Sequence, residues 1–172
     1  MRPATLADIA AITAIYRPAV LHGTASFELT PPDEREMLSR FTAMTAGGFP
    51  YLAAEMNGAV VGYAYANAYR PRPAYRYSVE DSIYVAPQAQ HRGVGRLLLE
   101  TLIATCTERG FRQMIAVIGD SQQYASITLH RRAGFTFSGT IHSVGYKHGR
   151  WLDSVIMQRY LGVGDRMPPA DT

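Results

Sequence analysis

The feature that most constrains the fold is a strand, a glycine-rich turn, a helix and a second strand in direct succession. Residues 82–85 read as a strand, and apolar side chains then recur at helical spacing over residues 94–106 until Gly110 ends the pattern. Residues 114–118 form a short apolar run that is typical of a buried strand. A strand, a helix and a strand in this order make a crossover unit, which indicates a helix packed on a sheet.

Patterns in the rest of the chain complete the predicted architecture. The pair Asn57-Gly58 tolerates the positive φ angles of a tight hairpin turn between two strands. Pro71 and Pro73 interrupt a central strand, because proline lacks an N–H donor, and so indicate a loop. The predicted helices follow Thr5 and Thr30 and cover 126–132, and the other predicted strands are 51–55, 59–66, 77–85, 135–146 and 151–160. This order predicts an α/β fold with a mixed, mostly antiparallel sheet flanked by helices.

Length and composition indicate one globular domain. The chain has 172 residues, of which 47% are hydrophobic and 18% charged, and we expect a single domain over residues 1–163 with a frayed tail at 164–172. The net charge of +3 is modest and Lys and Arg are scattered, so nucleic acid is a weak candidate partner. No apolar run approaches the roughly 20 residues that span a bilayer, and no secretory segment opens the sequence. We therefore expect a cytoplasmic protein without a membrane partner.

The segment Gln90–Gly95 (QHRGVG) places two glycines and two basic side chains where a strand is followed by a helix. A helix N-terminus leaves several N–H groups unpaired and carries partial positive charge, and glycine lets an anion approach without a Cβ in the way. The segment therefore suits a phosphate, and Arg92 and Arg96 add charge for a pyrophosphate. It is neither a Walker loop nor the dinucleotide fingerprint, because no Gly-Lys-Ser/Thr and no third glycine follow. Taken alone, the pattern also fits a turn that the glycines merely ease.

The pattern Gln-x-x-Gly-x-Gly after this strand resembles the acyl-CoA pyrophosphate loop of the GNAT N-acetyltransferase superfamily, and similar motifs cover nearly the whole chain. Residues 125–135 resemble the second cofactor segment of that superfamily. Residues 23–28, 79–85 and 145–153 resemble its phosphinothricin and methionine sulfoximine N-acetyltransferase branch. The resemblance implies a GNAT fold, acetyl-CoA as co-substrate without a metal, and acetylation of the α-amino group of a small amino-acid-like compound.

The resemblance also implies which residues bind the cofactor. Backbone N–H groups around Tyr84 and Val85 are expected to stabilise the developing oxyanion. Gln123 stands where the branch usually has Asn, a residue that contacts the cofactor arm. The implied cofactor-binding residues are Tyr84, Val85, Ala86, Gln90, His91, Arg92, Gly93, Val94, Gly95, Arg96, Gln123 and Ser126.

Two titratable residues are the candidate catalytic groups. Glu80 matches the proposed base of the branch, and Asp81 is its rival, although it points to the opposite face of a regular strand. His130 occupies the position from which a tyrosine protonates the leaving thiolate in many GNAT members, and imidazole can donate near neutrality. Tyr124 and solvent are alternative donors. Because the single cysteine, Cys106, lies on a predicted buried helix face, it offers no disulfide, no cysteine metal cluster and no covalent nucleophile.

Acceptor recognition is predicted for an apolar residue and a basic, aromatic loop. Arg72 and Arg76 can bind a carboxylate with a bidentate guanidinium, although a solvated loop explains them equally well. The predicted substrate-binding residues are Phe27, Arg72, Tyr75, Arg76 and Tyr77. The branch is commonly dimeric, which implies a homodimer. The alternative functions are acetylation of a different amine, such as a polyamine, an aminoglycoside or a protein N-terminus, and a non-catalytic acyl-CoA sensor.

Overall fold

The computed structural model describes residues 1–169, which form four α-helices and one seven-stranded sheet. The helices are α1 (Ile9–His22), α2 (Glu34–Ala46), α3 (Val94–Glu108) and α4 (Tyr124–Arg132). The strands are β1 (Arg2–Pro3), β2 (Tyr51–Met56), β3 (Ala59–Ala68), β4 (Ser78–Val85), β5 (Gln113–Gly119), β6 (Thr136–Lys147) and β7 (Arg150–Tyr160).

The sheet has the strand order β1-β2-β3-β4-β5-β7-β6. Every neighbouring pair is antiparallel except β4 and β5, which α3 connects as a parallel crossover. The predicted α/β fold with a mixed, mostly antiparallel sheet is therefore confirmed. The tight turn is confirmed as well, since Asn57 and Gly58 have φ angles of 52° and 78°.

Helices cover both faces of the sheet because successive strand residues point to opposite sides. On one face, Leu98 and Leu102 of α3 are fully buried in a cluster with Val79 of β4. On the other face, Ile12 of α1 belongs to a second cluster that includes Tyr63 of β3. The strand β4 thus contributes alternate side chains to two separate environments.

The largest departure from the predicted elements lies in the last hairpin. The strand β6 loses regular pairing with β7 between Phe137 and Gly139 and again between Ile141 and Gly145. Ser143 adopts a φ of 50° within the second irregularity, and its N–H donates to Asp153 Oδ1 at 3.0 Å. The irregularities are β-bulges, in which extra residues of β6 change which side chains face each side of the sheet. The alternation of residue types along the sequence does not reveal them.

The proposed domain boundary at residue 163 stays a prediction. Turn hydrogen bonds continue beyond it, since the N–H of Gly164 donates to Leu161 O and the N–H of Arg166 to Val163 O. The end of the predicted frayed tail, residues 170–172, lies outside the described residues. In residues 1–169, each helix is too short or too polar to cross a membrane.

Candidate active site

A cleft opens where β4 and β5 stop pairing. Their register runs from Ser78–Gln113 to Asp81–Ala116, whereas β4 continues to Val85 and β5 to Gly119. The far edge of each strand is still covered, β4 by β3 and β5 by β7. The stretches 82–85 and 117–119, which do not pair with each other, line a cleft of about 1040 Å³. The cleft reaches residues on both faces of the sheet.

Backbone donors of β4 face this cleft. The N–H of Ala86 donates to Val61 O at 2.9 Å and Ser78 O accepts from Tyr69, so both groups point toward β3. Because successive peptide groups of a strand point to opposite edges, the N–H groups of Ile83 and Val85 point away from β3 and toward the gap. The cleft therefore has two fixed hydrogen-bond donors along one wall.

The turn before α3 forms one end of the cleft. His91 and Gly93 take left-handed φ angles of 58° and 82°, and the first helical bond runs from the N–H of Leu97 to Gly93 O at 3.1 Å. The N–H groups of Val94, Gly95 and the next residue thus precede the hydrogen-bonded helix and lack intrahelical partners. Together with the positive helix end, they form a site for an anion.

A buried hydrogen-bond contact between two side chains joins β4 to α4 on the α3 side of the sheet. Asp81 Oδ2 lies 2.9 Å from His130 Nε2, and the two side chains are only 2% and 5% exposed. His130 Nδ1 lies 2.8 Å from the carbonyl oxygen of Ser126. Burial lowers the pKa of His130, but the hydrogen bond and charge of Asp81, helped by the Ser126 carbonyl, outweigh it and raise the pKa above its usual value.

Glu80 lies on the opposite face of β4, the face of α1 and α2. It shares that face with Ser82 and with Tyr65 of β3, and all three line the cleft. Burial raises the pKa of Glu80, the positive charge of Arg70 lowers it and the negative charge of Asp81 raises it further, with a net increase. A half-buried carboxylate with a raised pKa, within the cleft, has the properties of a general base.

The comparisons with known proteins agree with this geometry. The model of the Acetyltransferase (GNAT) family matches residues 14–135, more than half of the chain. The chain belongs to the GNAT acetyltransferase family.

Its relatives in the GNAT family include enzymes with named acceptors. It is 54% identical to phosphinothricin N-acetyltransferase of Alcaligenes faecalis over 94% of this chain and 82% of the relative. It is 44% identical to the L-methionine sulfoximine/L-methionine sulfone acetyltransferase of Salmonella typhimurium over 94% of both chains. A crystal structure of a GNAT superfamily phosphinothricin acetyltransferase from Sinorhizobium meliloti in complex with AcCoA has a TM-score of 0.96 and 51% identity, covering 99% of this chain and 92% of the other.

In this GNAT chain the loop 23–28 forms the wall of the cleft beyond Glu80. Phe27 is 39% exposed and its ring packs so closely on two glycines that a Cβ at Gly119 or Gly145 would come within 2.9 or 2.5 Å of it. The loop is held from the last hairpin, because the buried Lys147 Nζ donates to Ser26 O at 2.7 Å. The position of Phe27 thus depends on residues more than ninety positions away.

Gln123 fastens the same loop from the other side. Its Nε2 donates to Thr24 Oγ1 at 2.8 Å, and its own N–H donates to Asp120 O at 3.0 Å. Asp120 is buried, accepts from Arg150 and from the N–H of Gln122, and has a φ of 78°. The amide predicted from the GNAT resemblance to contact the cofactor arm is therefore hydrogen-bonded to the loop 23–28, while Gln123 also lines the cleft.

The cleft brings together most of the residues expected to act in one site. The predicted residues that line it are Phe27, Glu80, Tyr84, Val85, Gln90, His91, Gly93, Val94, Gly95, Arg96, Gln123, Ser126 and His130. Those that do not are Ala86, which is buried beside β3, the exposed Arg92, and the four loop residues Arg72, Tyr75, Arg76 and Tyr77.

The four loop residues lie outside the cleft, and two of them lie at the opposite end of α3 from its N-terminal turn. Arg76 and Tyr77 border a separate pocket of about 490 Å³ next to the turn between α3 and β5. The guanidinium of Arg76 stacks on the Tyr77 ring, 4.5 Å from its centroid. These four residues therefore do not line the cleft of their own chain.

Three residues of the site were not assigned a role from the sequence. Asp81 entered only as a rival base, and its bond to His130 was missed, although the alternation of strand residues already placed it on the other face from Glu80. Tyr65 and Arg70 carried no signal of their own. Within residues 1–169, no three His, Cys, Asp or Glu side chains group closely enough to hold a metal ion.

The bond between Gln123 and Thr24 can be measured in a double-mutant cycle. Gln123→Leu and Thr24→Val should show a coupling of about 1 kcal/mol in the free energy of unfolding by urea, because the bond exists only when both side chains are present. The cycle cancels other effects of Thr24→Val, including the loss of its hydrogen bond to Asp120. The exposed neighbour is the control: Gln122→Leu with Thr24→Val should be additive. Additivity of the Gln123 pair would contradict the observed contact.

Proposed function

We propose that this chain transfers the acetyl group of acetyl-CoA to the α-amino group of a small amino-acid-like acceptor of the phosphinothricin or methionine sulfoximine type. The observation that carries the proposal is the cleft through the open edge of β4, with free helix amides at one end and Glu80 at the other. The named acceptors of the relatives support the acceptor class. We also infer that the protein works in the cytoplasm, on a small molecule rather than on nucleic acid or a membrane.

The residues of the α3 turn fit the diphosphate of acetyl-CoA. The N–H groups of Val94, Gly95 and Arg96 are available at the positive end of the helix, and the Arg96 side chain and His91 line the same end of the cleft. Gly95 leaves the approach open because it has no Cβ. Acetyl-CoA supplies an activated thioester to this arrangement. The arm toward the thioester then follows the wall formed by Ile83 and Val85, whose N–H groups are placed to stabilise negative charge on the carbonyl oxygen.

Glu80 acts as the general base. An α-ammonium group must lose a proton before its nitrogen can attack, and its reference pKa lies near 7.7 to 8.0, above neutrality. A carboxylate with a raised pKa accepts that proton, directly or through water, more effectively than one with an ordinary pKa. A proton leaves the nitrogen for each N–C bond formed, and the C–S bond of the thioester breaks to release CoA thiolate.

His130 is the proposed proton donor to the CoA thiolate, with Tyr124 and solvent as the alternatives. The pair of His130 and Asp81 lines the cleft on the α3 side, where α4 approaches β4. In this step an N–H bond of the imidazolium breaks, an S–H bond forms, and solvent restores the proton to the ring. Because the pKa of His130 is raised, the ring favours the protonated form that a proton donor needs.

The transfer is direct, without an acyl-enzyme. Cys106 is the single cysteine of the chain, it is fully buried in the core under α3, and burial raises the pKa of its thiol to about 12. A buried thiol with this pKa provides almost no thiolate at neutral pH. The amine of the acceptor is therefore the nucleophile that meets the thioester.

Recognition of the acceptor is proposed for Phe27 and for the basic loop. Phe27 forms an apolar wall next to Glu80. Arg72 and Arg76, with Tyr75 and Tyr77, are retained as candidates for the carboxylate of the acceptor. Because they lie outside the cleft of their own chain, they can take this role through an extended acceptor, a movement of the loop or a second subunit.

A homodimer is proposed from the last hairpin. The strand β6 forms an edge of the sheet, and edges with exposed apolar side chains favour pairing with another chain. The exposed apolar residues of the hairpin are Phe137, Ile141, Val144, Tyr146, Trp151 and Tyr160.

The central test is thiol release from acetyl-CoA with a panel of amines. Wild-type protein should release thiol with phosphinothricin or methionine sulfoximine and far less with spermidine, an aminoglycoside or a peptide N-terminus. Glu80→Gln should lower kcat at neutral pH by about a hundredfold or more, the usual scale of general base catalysis.

The matched control for this test is Glu108→Gln, which removes an exposed carboxylate at the far end of α3 and should leave kcat unchanged. Binding of acetyl-CoA with no thiol release for any amine would establish a sensor instead. An unchanged kcat in Glu80→Gln would remove Glu80 from the role of base.

The diphosphate site can be tested by Gly95→Ala, which separates folding from binding. A Cβ at Gly95 would meet Leu129 and Val85 only at 3.7 Å, an ordinary contact, and alanine favours helix by up to about 1 kcal/mol, so unfolding should not become easier. The added methyl should nevertheless raise the Kd for acetyl-CoA by about tenfold in calorimetry, a loss of about 1.4 kcal/mol. Gly139→Ala, also an open position but outside the cleft, is the control. Equal affinities in both variants would place the diphosphate elsewhere.

The homodimer predicts a mass of twice 19.0 kDa in light scattering. Phe137→Asp combined with Trp151→Asp should yield the monomer mass, because both side chains are more than 60% exposed on the hairpin and charge opposes their burial against a partner. Leu6→Asp, at a similarly exposed apolar residue near the opposite edge of the sheet, should leave the mass unchanged. A monomeric wild type would contradict the proposal.

A further inference from the structure

The buried contact between Asp81 and His130 determines how many protons the pair must hold. Both ring nitrogens face acceptors: Nδ1 faces the carbonyl oxygen of Ser126 at 2.8 Å and Nε2 faces Asp81 Oδ2 at 2.9 Å. A carbonyl oxygen only accepts, so Nδ1 carries a hydrogen. The contact between Nε2 and Oδ2 requires a second hydrogen. The pair therefore holds either an imidazolium with a carboxylate or a neutral imidazole with a carboxylic acid.

Comparison of the two partners favours the imidazolium. The hydrogen bond and the charge of Asp81 raise the pKa of His130 above its usual value although burial lowers it, which favours the shared proton on the ring. Asp81 Oδ1 is buried and accepts no hydrogen bond within the described residues. The charge of this carboxylate is therefore compensated by the ring alone. Removing the carboxylate would leave the buried imidazolium without an opposite charge, and burial would then favour the neutral ring.

The other groups packed around the ring supply no opposite charge. Phe135 contacts it edge-on with centroids 5.0 Å apart, and the Ser126 hydroxyl lies 3.4 Å from Nδ1. Cys106 of α3 and Glu80, on the other face of β4, interact electrostatically with Asp81. Asp81 is the one carboxylate that touches the ring among residues 1–169.

We propose that Asp81 is a positioning residue that keeps His130 doubly protonated at neutral pH. The ring then stores a proton for the CoA thiolate, and donates it when one N–H leaves its acceptor, Asp81 or Ser126. The inference rests on the proposed function for the step that it serves, but the charge state of the ring does not. Without Asp81, burial would leave the imidazole neutral at neutral pH, with only the weakly acidic Nδ1–H that bonds to Ser126.

The decisive variant is Asp81→Asn, which keeps the shape and a hydrogen bond but removes the charge. The amide Nδ2 can donate to Nε2 of a neutral ring whose Nδ1–H still bonds to Ser126. His130 should therefore stay in place and lose its second proton. The exposed Asp165→Asn, outside the cleft, is the matched control for loss of one carboxylate.

The experiment is a ¹⁵N NMR titration of the histidine rings in the wild type and both variants, with His130→Gln used to assign the signal among five histidines. The wild-type ring of His130 should be an imidazolium at pH 7 and lose its proton only well above pH 7. In Asp81→Asn the titration should move down by about one pH unit or more, a tenfold change in proton affinity. A neutral wild-type ring at pH 7, or the same titration in both proteins, overturns the proposal.

Kinetics then separate the charge state from the chemistry. The alkaline limb of the kcat profile should move to lower pH in Asp81→Asn, while the KM for acetyl-CoA changes by less than about twofold. A ring that loses its charge without a change in the kcat profile overturns the acid role. Failure of all amines to release thiol overturns the proposed function, whereas the titration still decides the state of the pair. The wild-type titration alone decides it where the variant does not fold.

Discussion

The end of hydrogen bonding between β4 and β5 is the constraint on which the site depends. In a sheet the backbone donors of a central strand are normally all hydrogen-bonded to the neighbouring strands. Beyond Asp81 and Ala116, however, β4 and β5 no longer pair with each other, although β4 still pairs with β3 and β5 with β7. The unused donors would be costly inside a closed core. These N–H groups are tolerated because they face a cleft, where water or a carbonyl oxygen of a bound molecule can accept their hydrogen bonds. The open edge is thus both the local weakness of the sheet and the origin of its binding site.

The same opening allows one strand to serve two chemical environments. Glu80 projects toward Tyr65 on the side of α1 and α2, and Asp81 projects toward His130 on the side of α3 and α4. The two carboxylates are adjacent in sequence, but the backbone separates them, so they take different partners. The proposed base for the amine and the proposed acid for the thiolate therefore lie on opposite faces of the same strand.

Local patterns predicted the parts of this site that are local. The turn into α3 could be predicted because glycines, basic side chains and the start of a helix lie within a few residues. Its placement at the cleft follows from the order of strand, turn and helix. Alternation along β4 placed Asp81 opposite Glu80. Long-range contacts carried no such signal: Lys147 meets Ser26 across 121 positions and Gln123 meets Thr24 across 99. The bulges of β6 were also hidden, because Gly139 and Gly145 fit an ordinary strand as well as an irregular one.

The register of β4 determines which face Glu80 and Asp81 occupy and which backbone N–H groups face the cleft. A shift by one residue would exchange the environments of Glu80 and Asp81 and would turn the N–H groups of Ile83 and Val85 away from the cleft. Two interactions oppose such a shift: the antiparallel ladder from Ala68–Val79 to Gly62–Val85, and the buried bond from Asp81 to α4. The ladder fixes the strand against β3, but it would tolerate either carboxylate on either face. The bond to His130 accepts only one phase, because the opposite one would leave an unpaired carboxylate in the core. The bond between Asp81 and His130 therefore specifies the alignment of the strand.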